Sequence, residues 1–313
     1  MRVLSLFDGI SCGMVALERA KIPVEEYYAY EIEPNAIKIS KKNYPQIIHC
    51  GDVFNTNFSQ YNKKVDILIG GSPCTFWSNA KCHTAKQKKE IDQNGVGWKL
   101  FMKFVEALHN AEPKYFLYEN NYGISENIKN AISEKLGVEP IMIDSALVSA
   151  QRRKRYYWTN IPNVTQPKDR NIKVRDIIVN DPLLTKAFDD RIKKSIIKTD
   201  NYIKYDLSGK GYYSQQDRMY YLDGKAPTIA RCRTETKFNV FLGGEKFKKT
   251  CPIECERLQT LPDDYTAGVP KTRRYEAIGN GWTVDVIAHI FKNLKTGDIE
   301  DEKAAGNQQT KIF

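Results

Sequence analysis

Short apolar segments alternate with amphipathic ones over the first half of the chain. This alternation predicts an α/β fold with a doubly wound, mostly parallel sheet and helices on both faces, because strand-helix-strand units return to one sheet in parallel. The strand candidates are Val3–Phe7, Tyr27–Ile32, Ile47–His49, Val65–Ile69 and Tyr115–Tyr118, and the helical stretches between them include Met14–Ala20, Ala36–Lys42 and Leu100–Asn110. Further strands are predicted at Pro140–Ile143 and Tyr156–Thr159.

The pattern changes in the second half of the chain. From about Pro162 to Phe247 it gives way to a region rich in Lys and Asp, which we interpret as a separate module. A short helix at Pro252–Leu258 and an apolar helix at Val284–Asn293 are then predicted to return to the first unit. We therefore predict a larger domain formed by residues 1–161 plus 271–313 and a smaller domain at residues 162–270.

Composition narrows the class of protein. A chain of 313 residues that is 41% hydrophobic can bury a sizeable core. It contains no apolar run long enough to span a membrane and begins without a secretory signal, so we expect a cytoplasmic protein. The seven cysteines form no CxxC pair, which predicts reduced thiols and no metal. A net charge of +10 favours a polyanionic partner.

Polar and small residues follow the predicted strands. Phe7-Asp8-Gly9-Ile10-Ser11-Cys12-Gly13 leaves the first strand and opens a helix, which suits a cofactor loop or an ordinary strand-to-helix turn. Because Ser11 stands where the dinucleotide fingerprint requires glycine, a dinucleotide cofactor is disfavoured. Glu31 can accept both hydroxyls of a ribose, and Asp52 can accept an adenine amino group, although either acid can equally be a helix cap.

A cysteine follows the fourth strand and a glutamate ends the fifth. Gly70-Gly71-Ser72-Pro73-Cys74 is a constrained loop at the edge of the sheet where ligands bind, and Tyr118-Glu119-Asn120-Asn121 brings a carboxylate to the same edge. A lone cysteine is most often a small buried hydrophobic residue. The neighbouring Glu119 is what makes Cys74 a candidate nucleophile.

Together these segments resemble the cytosine-5 DNA methyltransferases, of prokaryotic or phage type with a short target-recognition module. The resemblance rests on Phe-Asp-Gly near the start, Ser72-Pro73-Cys74, Glu119-Asn120 and Gln151-Arg152-Arg153-Lys154-Arg155, in the family's order and spacing. It continues in Glu254–Pro262 and in Gly279–Val284, and only the middle module lacks most of it. The resemblance implies a Rossmann-like S-adenosylmethionine-dependent catalytic domain, a target-recognition domain at 162–270, and double-stranded DNA as partner. It also implies a monomer that is nucleoid-associated in a prokaryotic host.

The family's chemistry explains the residue types. Carbon 5 of cytosine is a poor nucleophile, so the Cys74 thiolate adds at carbon 6 while Glu119, helped by Asn120, engages N3 of a base flipped out of the duplex. The resemblance also implies that Arg155 binds the base carbonyl and Arg153 orders the cysteine loop. S-adenosylmethionine is the implied methyl donor, bound by Phe7, Asp8, Gly9, Ile10, Ser11, Gly13, Glu31, Ile32, Asp52, Val53, Pro73, Asn280, Gly281 and Trp282.

Sequence recognition is expected near the end of the middle module. Ala226–Lys237 resembles the family's signature there, and Arg231 and Arg233 can each read a guanine, although both can instead be phosphate contacts. Thr234 or Lys237 can take a phosphate or a base edge, so both are further candidates for DNA contact. Ser78 opens a polar segment that suits a loop closing over DNA.

Several features leave alternatives open. Asn121, Thr75 and the pair Gly281-Trp282 depart from the family pattern, which affects fine geometry. An RNA cytosine-5 methyltransferase, or a catalytically silent DNA-binding homologue, remains the alternative function, and a restriction-modification or phage-protective role is compatible with the main one. Gln309-Thr310-Lys311-Ile312-Phe313 resembles a peptide that binds the replication sliding clamp.

Overall fold

A mostly parallel sheet forms the larger part of the computed structural model, which describes residues 1–77, 90–205, 217–231 and 237–294, with the backbone alone at Cys74. The central strands of this sheet are short and largely apolar, as strands covered on both faces require, whereas the two edge strands are only partly buried. The strands are β1 (Arg2–Leu6), β2 (Glu26–Tyr30), β3 (Ile48–Gly51), β4 (Ile67–Gly70), β5 (Tyr115–Asn121), β6 (Ile141–Asp144) and β7 (Lys154–Thr159).

The strand order is β3-β2-β1-β4-β5-β7-β6. Pairing is parallel from β3 through β5, whereas β7 runs antiparallel to both β5 and β6. The chain therefore starts in the middle of the sheet, winds outward to β3, and then returns to the other side through β4. This doubly wound topology places the carboxyl ends of β1 and β4, where the winding reverses, next to each other.

Helices cover this sheet. α2 begins at Pro34 after Glu33, whose carboxylate accepts from the Ala36 N–H, and α4 begins after the N-cap Ser125. The predicted apolar helix near the carboxyl end is shorter than expected and packs on the first helix. The helices are α1 (Cys12–Arg19), α2 (Pro34–Asn43), α3 (Val96–Ala111), α4 (Glu126–Leu136), α5 (Asp190–Ser195), α6 (Pro252–Leu258), α7 (Lys271–Asn280) and α8 (Val284–Phe291).

A second sheet lies in the region where the alternating pattern is lost. Its strands are β8 (Thr185–Ala187), β9 (Ile197–Lys198), β10 (Tyr202–Lys204), β11 (Arg218–Tyr221), β12 (Asn239–Gly243) and β13 (Lys246–Lys249). They lie in the order β8-β13-β12-β11-β10-β9, and their pairings are antiparallel except for β11 with β12. A small apolar cluster that includes Phe188, Ile203 and Met219 packs against this sheet.

Two large apolar clusters lie against the main sheet, and a third joins the two parts of the chain. The third contains Ala150 from before β7, Tyr220 from the second sheet, and Cys255 and Tyr275 from α6 and α7. The α/β fold class predicted from the sequence is confirmed. The division at residues 162 and 270 stays a prediction.

Candidate active site

Five neighbouring strands present their carboxyl ends at one edge of the main sheet. The parallel register aligns Leu6 with Tyr30 and with Gly70, Tyr30 with Gly51, and Gly70 with Tyr118. The residues that follow these positions therefore form one row. Along this row, in the order of the sheet, lie Asp52, Glu31, Phe7, Gly71 and Glu119.

The loop between β1 and α1 has an unusual backbone. Phe7, Gly9 and Ser11 have φ values of 57°, 60° and 60°, in the left-handed region that non-glycine residues rarely adopt. The Asp8 carboxylate accepts hydrogen bonds from the hydroxyls of Ser11 at 2.5 Å and Tyr27 at 2.7 Å, and also from Ser5. Asp8 thus holds the loop in this conformation, and such strained loops concentrate at functional sites.

Glu31 ties the end of β2 to the same loop. One carboxylate oxygen accepts from the Gly9 N–H at 2.8 Å, and the other accepts from the N–H groups of Ile32 and Glu33. Burial raises the pKa of the Glu31 carboxyl above its ordinary value, while these N–H donors oppose the rise. Ile32 beside it is 68% exposed, so an apolar side chain and a carboxylate lie together at this edge.

Several residues predicted to bind the cofactor have side chains that face the core instead. Ile10, Ser11 and Val53 are at most 5% exposed. A Cβ on Gly13 would lie 2.4 Å from Cδ1 of Ile69 and 2.8 Å from the Tyr27 hydroxyl, so a larger residue there would displace these two side chains. The three buried side chains shape the cofactor loop from the core side. The prediction that these residues contact the cofactor stays a prediction, and it would have to be met by backbone groups at Ile10, Ser11 and Val53.

Asp52 caps the 3-10 turn Val53–Asn55 by accepting from the Phe54 N–H at 3.0 Å. One of its two carboxylate oxygens therefore serves as a helix cap, which was the alternative role considered for Asp52.

Two further residues predicted to bind the cofactor lie at the end of α7. Asn280 is exposed at the last position of this helix, and Gly281 after it is buried.

The cysteine loop is anchored through Ser72. The Ser72 and Tyr118 hydroxyls are 2.7 Å apart, and the Asn120 amide donates to the Ser72 carbonyl at 3.3 Å. We had expected Asn120 to hold Glu119; its amide instead binds the loop that leads to Cys74. Pro73 is exposed, and a 3-10 turn begins at Cys74. This arrangement fixes where the backbone of Cys74 lies relative to β5.

The Glu119 carboxylate has a donor on each oxygen. Arg155 Nε lies 2.9 Å from Oε1, and the indole Nε1 of Trp282 donates to Oε2 at 3.1 Å. Arg155 reaches it diagonally, because Glu119 pairs with Tyr157 across β5 and β7. Neither contact was predicted: Arg155 was expected at the base carbonyl and Trp282 at the cofactor.

Arg153 is buried and binds backbone carbonyls. Its guanidinium donates to the carbonyls of Ile229 at 3.1 Å, Gly279 at 3.2 Å and Gly281 at 3.0 Å. It thereby connects the start of β7 to the segment before Arg231 and to the turn between α7 and α8. The expected effect of Arg153 on the cysteine loop stays a prediction.

Replacing Arg155 with methionine should lower the free energy of unfolding by about 3 kcal/mol, because it leaves a buried carboxylate without its cation. The side chains of Arg155 and Glu119 are 9% and 12% exposed. Urea denaturation measures the effect. The double variant Arg155→Met/Glu119→Gln should recover most of the loss, and Lys103→Met, which breaks a more exposed pair with Glu106, should cost about 1 kcal/mol or less. Equal losses in the single and double variants would contradict this explanation.

The cysteines whose side chains are described are poor nucleophiles. Burial raises the thiol pKa of Cys12 to about 12, and it raises the pKa of Cys50, Cys251 and Cys255 as well. Because the thiolate is the reactive form, these four thiols are not suited to attack a substrate. Among the described thiols, therefore, none competes with the role predicted for Cys74.

The predicted DNA contacts differ in their placement. Arg231 is exposed and its Nε lies 3.3 Å from Oε1 of Glu276. Lys237 is only 1% exposed; its ammonium donates to the Ala230 carbonyl at 2.8 Å and lies 5.6 Å from the Tyr275 ring centroid. A buried ammonium cannot reach a phosphate, so the expected DNA contact of Lys237 does not fit. Ser78, Arg233, Thr234 and Gln309–Phe313 lie outside the described residues.

A buried amide network supports the turn between α7 and α8. Gln259 Nε2 donates to the carbonyls of Ile278 and Gly281, and Gln259 Oε1 accepts from Gln151 and from the Thr283 hydroxyl. The sequence assigned no role to Gln259. The available signal was its place within Glu254–Pro262, one of the segments that resemble the family. A buried amide requires partners, which explains the network.

Two further properties of the described residues concern metal ligands and membrane-spanning helices. Within the described ranges, no cluster of three histidine, cysteine or acidic side chains could hold a metal ion. No described helix has the length and apolar character that crossing a membrane requires.

Comparison with known proteins identifies the family. The model of the C-5 cytosine-specific DNA methylases matches residues 1–296. The type II methyltransferase M.HhaI of Haemophilus parahaemolyticus is 26% identical, and the alignment covers 94% of each chain. The type II methyltransferase M.Eco47II of Escherichia coli is also 26% identical, covering 93% of this chain and 78% of that protein.

Solved structures agree on the fold. The structure of the Entamoeba histolytica methyltransferase EhMeth superposes with a TM-score of 0.67 at 17% identity, covering 94% of this chain and 99% of that one. The family match spans nearly the whole chain, including the strand ends that carry the predicted site residues. The protein therefore belongs to the C-5 cytosine-specific DNA methylases and is a DNA cytosine-5 methyltransferase.

Proposed function

We propose that this enzyme methylates carbon 5 of a flipped cytosine in double-stranded DNA through a covalent bond between Cys74 and carbon 6. The observation that carries the proposal is the Glu119 carboxylate. It lies at the end of β5 beside the loop that ends in Cys74, and Arg155 and Trp282 hold one oxygen each. A carboxylate held in this way can be presented to one edge of a base in a fixed orientation.

The reaction follows from the two side chains. The Cys74 thiolate attacks carbon 6, and the electron density that moves into the ring makes carbon 5 nucleophilic. Glu119 stabilises this state by hydrogen bonding to N3 or protonating it. After methylation, loss of the carbon-5 proton restores the ring and expels the Cys74 thiolate, which is ready for another turnover.

The residues at the edge of β1, β2 and β3 fit S-adenosylmethionine. The loop of Phe7 to Ser11 lies at this edge, and Phe7, Asp8 and Gly9 in it are partly exposed. Glu31 supplies a fixed carboxylate for ribose hydroxyls, and exposed Ile32 offers an apolar contact for the adenine. S-adenosylmethionine, when bound, supplies an electrophilic methyl group. Asp8 and Glu31 support cofactor binding by holding the loop through hydrogen bonds, and the buried side chains of Ile10 and Ser11 determine its shape.

The affinity for S-adenosylmethionine should weaken on the acid side of neutrality. The pKa of Glu31 is raised by burial, so its carboxyl takes up a proton at a higher pH than an exposed glutamate and then loses an acceptor for the ribose. Isothermal titration between pH 5 and pH 8 measures this dependence. Glu31→Gln should bind more weakly, by about 10-fold or more at neutral pH, and should lose most of the pH dependence. An unchanged pH profile in Glu31→Gln would assign the dependence to another group.

DNA engagement is proposed from the arginines and the net charge of +10. Neither face of carbon 6 is open inside a stacked duplex, so the cytosine has to leave the helix. Arg155, already beside Glu119, is the candidate for the base carbonyl, and exposed Arg231 is the described candidate for contact with the DNA. Buried Arg153 does not face the DNA in this proposal; it donates hydrogen bonds to the backbone carbonyls of Gly281 and Ile229 and so supports these two segments.

Bisulfite sequencing of DNA from a host that expresses the enzyme tests the proposal. The expected result is protected cytosines in one sequence context, absent from a host that expresses Cys74→Ser. Protection of cytosines in RNA but not in DNA would favour the RNA methyltransferase alternative. No protection in either nucleic acid, with DNA binding retained, would indicate a catalytically silent homologue.

A further inference from the structure

Trp282 lies in a turn whose backbone is fixed on both sides. Gly281 before it accepts hydrogen bonds through its carbonyl from Arg153 and Gln259, at 3.0 Å each. Thr283 after it binds the Gln259 side chain at 2.8 Å and the Ser145 hydroxyl at 2.8 Å. Buried hydrogen bonds to the residues on either side therefore fix the position of the Trp282 backbone.

The indole of Trp282 extends from this turn to the catalytic edge of the sheet. Its Nε1 donates to Oε2 of Glu119 at 3.1 Å, across 163 residues of sequence. Gly71 closes the third side of the contact, since a Cβ there would lie 3.0 Å from Oε2 and 3.4 Å from the indole nitrogen. The indole and the carboxylate thus meet directly over a residue without a side chain.

The two donors to Glu119 act on different oxygens. Arg155 alone, through one contact with Oε1, would restrain the torsion about the Cγ–Cδ bond of Glu119 only weakly, because terminal carboxyl torsions are broad. A second donor on Oε2 removes the remaining freedom and sets the plane of the group. A carboxyl that has to meet N3 of a flipped base depends on this orientation, since small misplacements of catalytic groups are costly.

We propose that Trp282 is a positioning residue for Glu119: its indole N–H fixes the carboxyl plane in which Glu119 receives the cytosine. The proposal rests on the proposed function and gives Trp282 a role beyond cofactor contact. It also explains the large residue in the pair Gly281-Trp282, where small residues are expected. A small residue at position 282 would have no N–H to hold the Glu119 carboxylate.

The test separates this role from cofactor binding by measuring a reaction that needs no cofactor. Attack of Cys74 at carbon 6 activates carbon 5, which takes a proton from solvent; loss of the original carbon-5 hydrogen and of the thiolate then restores cytosine. Release of tritium from [5-³H]cytosine in duplex DNA, without S-adenosylmethionine, therefore reports on activation of the bound base with no contribution from the cofactor. Binding of S-adenosylmethionine is measured separately by titration.

Trp282→Phe keeps an aromatic ring but lacks the N–H. We expect tritium release to fall by about 10-fold to 100-fold, the range for losing a hydrogen bond to a charged group, while the dissociation constant for S-adenosylmethionine changes by less than about 3-fold. Trp98→Phe is the matched control: Trp98 lies in α3 and packs on Phe101 with ring centroids 5.0 Å apart. It should release tritium at about the wild-type rate.

A second background tests whether Trp282 acts through Glu119. In Glu119→Ala, adding Trp282→Phe should lower tritium release no further, because the partner is already absent. A further fall of about 10-fold in that background, or wild-type release by Trp282→Phe alone, would overturn the proposal. Weak cofactor binding with normal tritium release would also overturn it and make Trp282 a cofactor contact. If the wild-type enzyme neither releases tritium nor methylates DNA, the proposed function itself fails.

Discussion

Replacing Cys74 with serine should reduce methylation of duplex DNA by roughly 10³-fold or more. An alcohol is far less acidic than a thiol, so serine supplies almost none of the anionic nucleophile that addition at carbon 6 requires. Single-turnover incorporation of labelled methyl groups measures the loss. The variant should still bind DNA, because the 3-10 turn that begins at Cys74 keeps a residue of similar size.

Cys50→Ala is the matched control for this experiment. Cys50 is half-buried, its thiol contacts the Tyr61 hydroxyl, and burial raises its pKa. We expect activity close to wild type. Retained methylation in Cys74→Ser, or loss of activity in Cys50→Ala without loss of stability, would contradict the assignment of the nucleophile.

Replacing Glu119 with glutamine should lower the methylation rate by about 10²-fold to 10⁴-fold, the usual contribution of general acid-base catalysis. Glutamine keeps the shape of the side chain and an oxygen for the Trp282 N–H, but it can neither carry a proton to N3 nor pair with the charge of Arg155. The loss should appear in kcat, with the KM for S-adenosylmethionine little changed, because Glu31 rather than Glu119 lies at the proposed cofactor edge.

Glu106→Gln provides the comparison for Glu119→Gln. Glu106 lies in α3 and pairs with Lys103 on the surface, so its neutralisation should leave the rate within about 2-fold of wild type. A Glu119→Gln variant that methylates at the wild-type rate would remove Glu119 from the chemistry. A variant that fails mainly through a higher KM for the cofactor would move its role to binding.

The centre of the main sheet was predictable because its strands are buried on both faces. The apolar segments at Val3–Phe7 and Val65–Ile69 correspond to β1 and β4, shifted by one or two residues. Such runs are bounded by polar residues, so the pattern indicates both the strand and its end. Since parallel strands present their carboxyl ends at one edge, the row that contains Glu31 and Glu119 followed from the topology.

The second sheet could not be predicted in this way. Its strands are two to five residues long, and charged residues interrupt them, as in Lys246–Lys249. A period of two cannot be recognised over so few residues. α4 was also missed, although Ser125 before it and Gly137 after it are ordinary capping residues, because its apolar positions are few.

Within the site, the sequence indicated residue types better than side-chain directions. Lys237 stands in a segment that resembles a recognition signature, yet its ammonium is buried against Ala230 and Tyr275. The contact between Trp282 and Glu119 joins residues 163 positions apart and depends on a glycine in a third segment. Contacts of this kind arise from tertiary packing and leave no local pattern in the sequence.

The most direct test of the account is to identify the cysteine that becomes attached to DNA. Duplex DNA that contains 5-fluorocytosine in the methylated context traps the enzyme, because the fluorine at carbon 5 cannot leave as a proton does. Peptide mass spectrometry of the trapped complex, formed with S-adenosylmethionine, should find the modified base on the peptide that contains Cys74. Attachment through any other cysteine, or methylation of normal DNA without a trapped complex, would contradict the central claim.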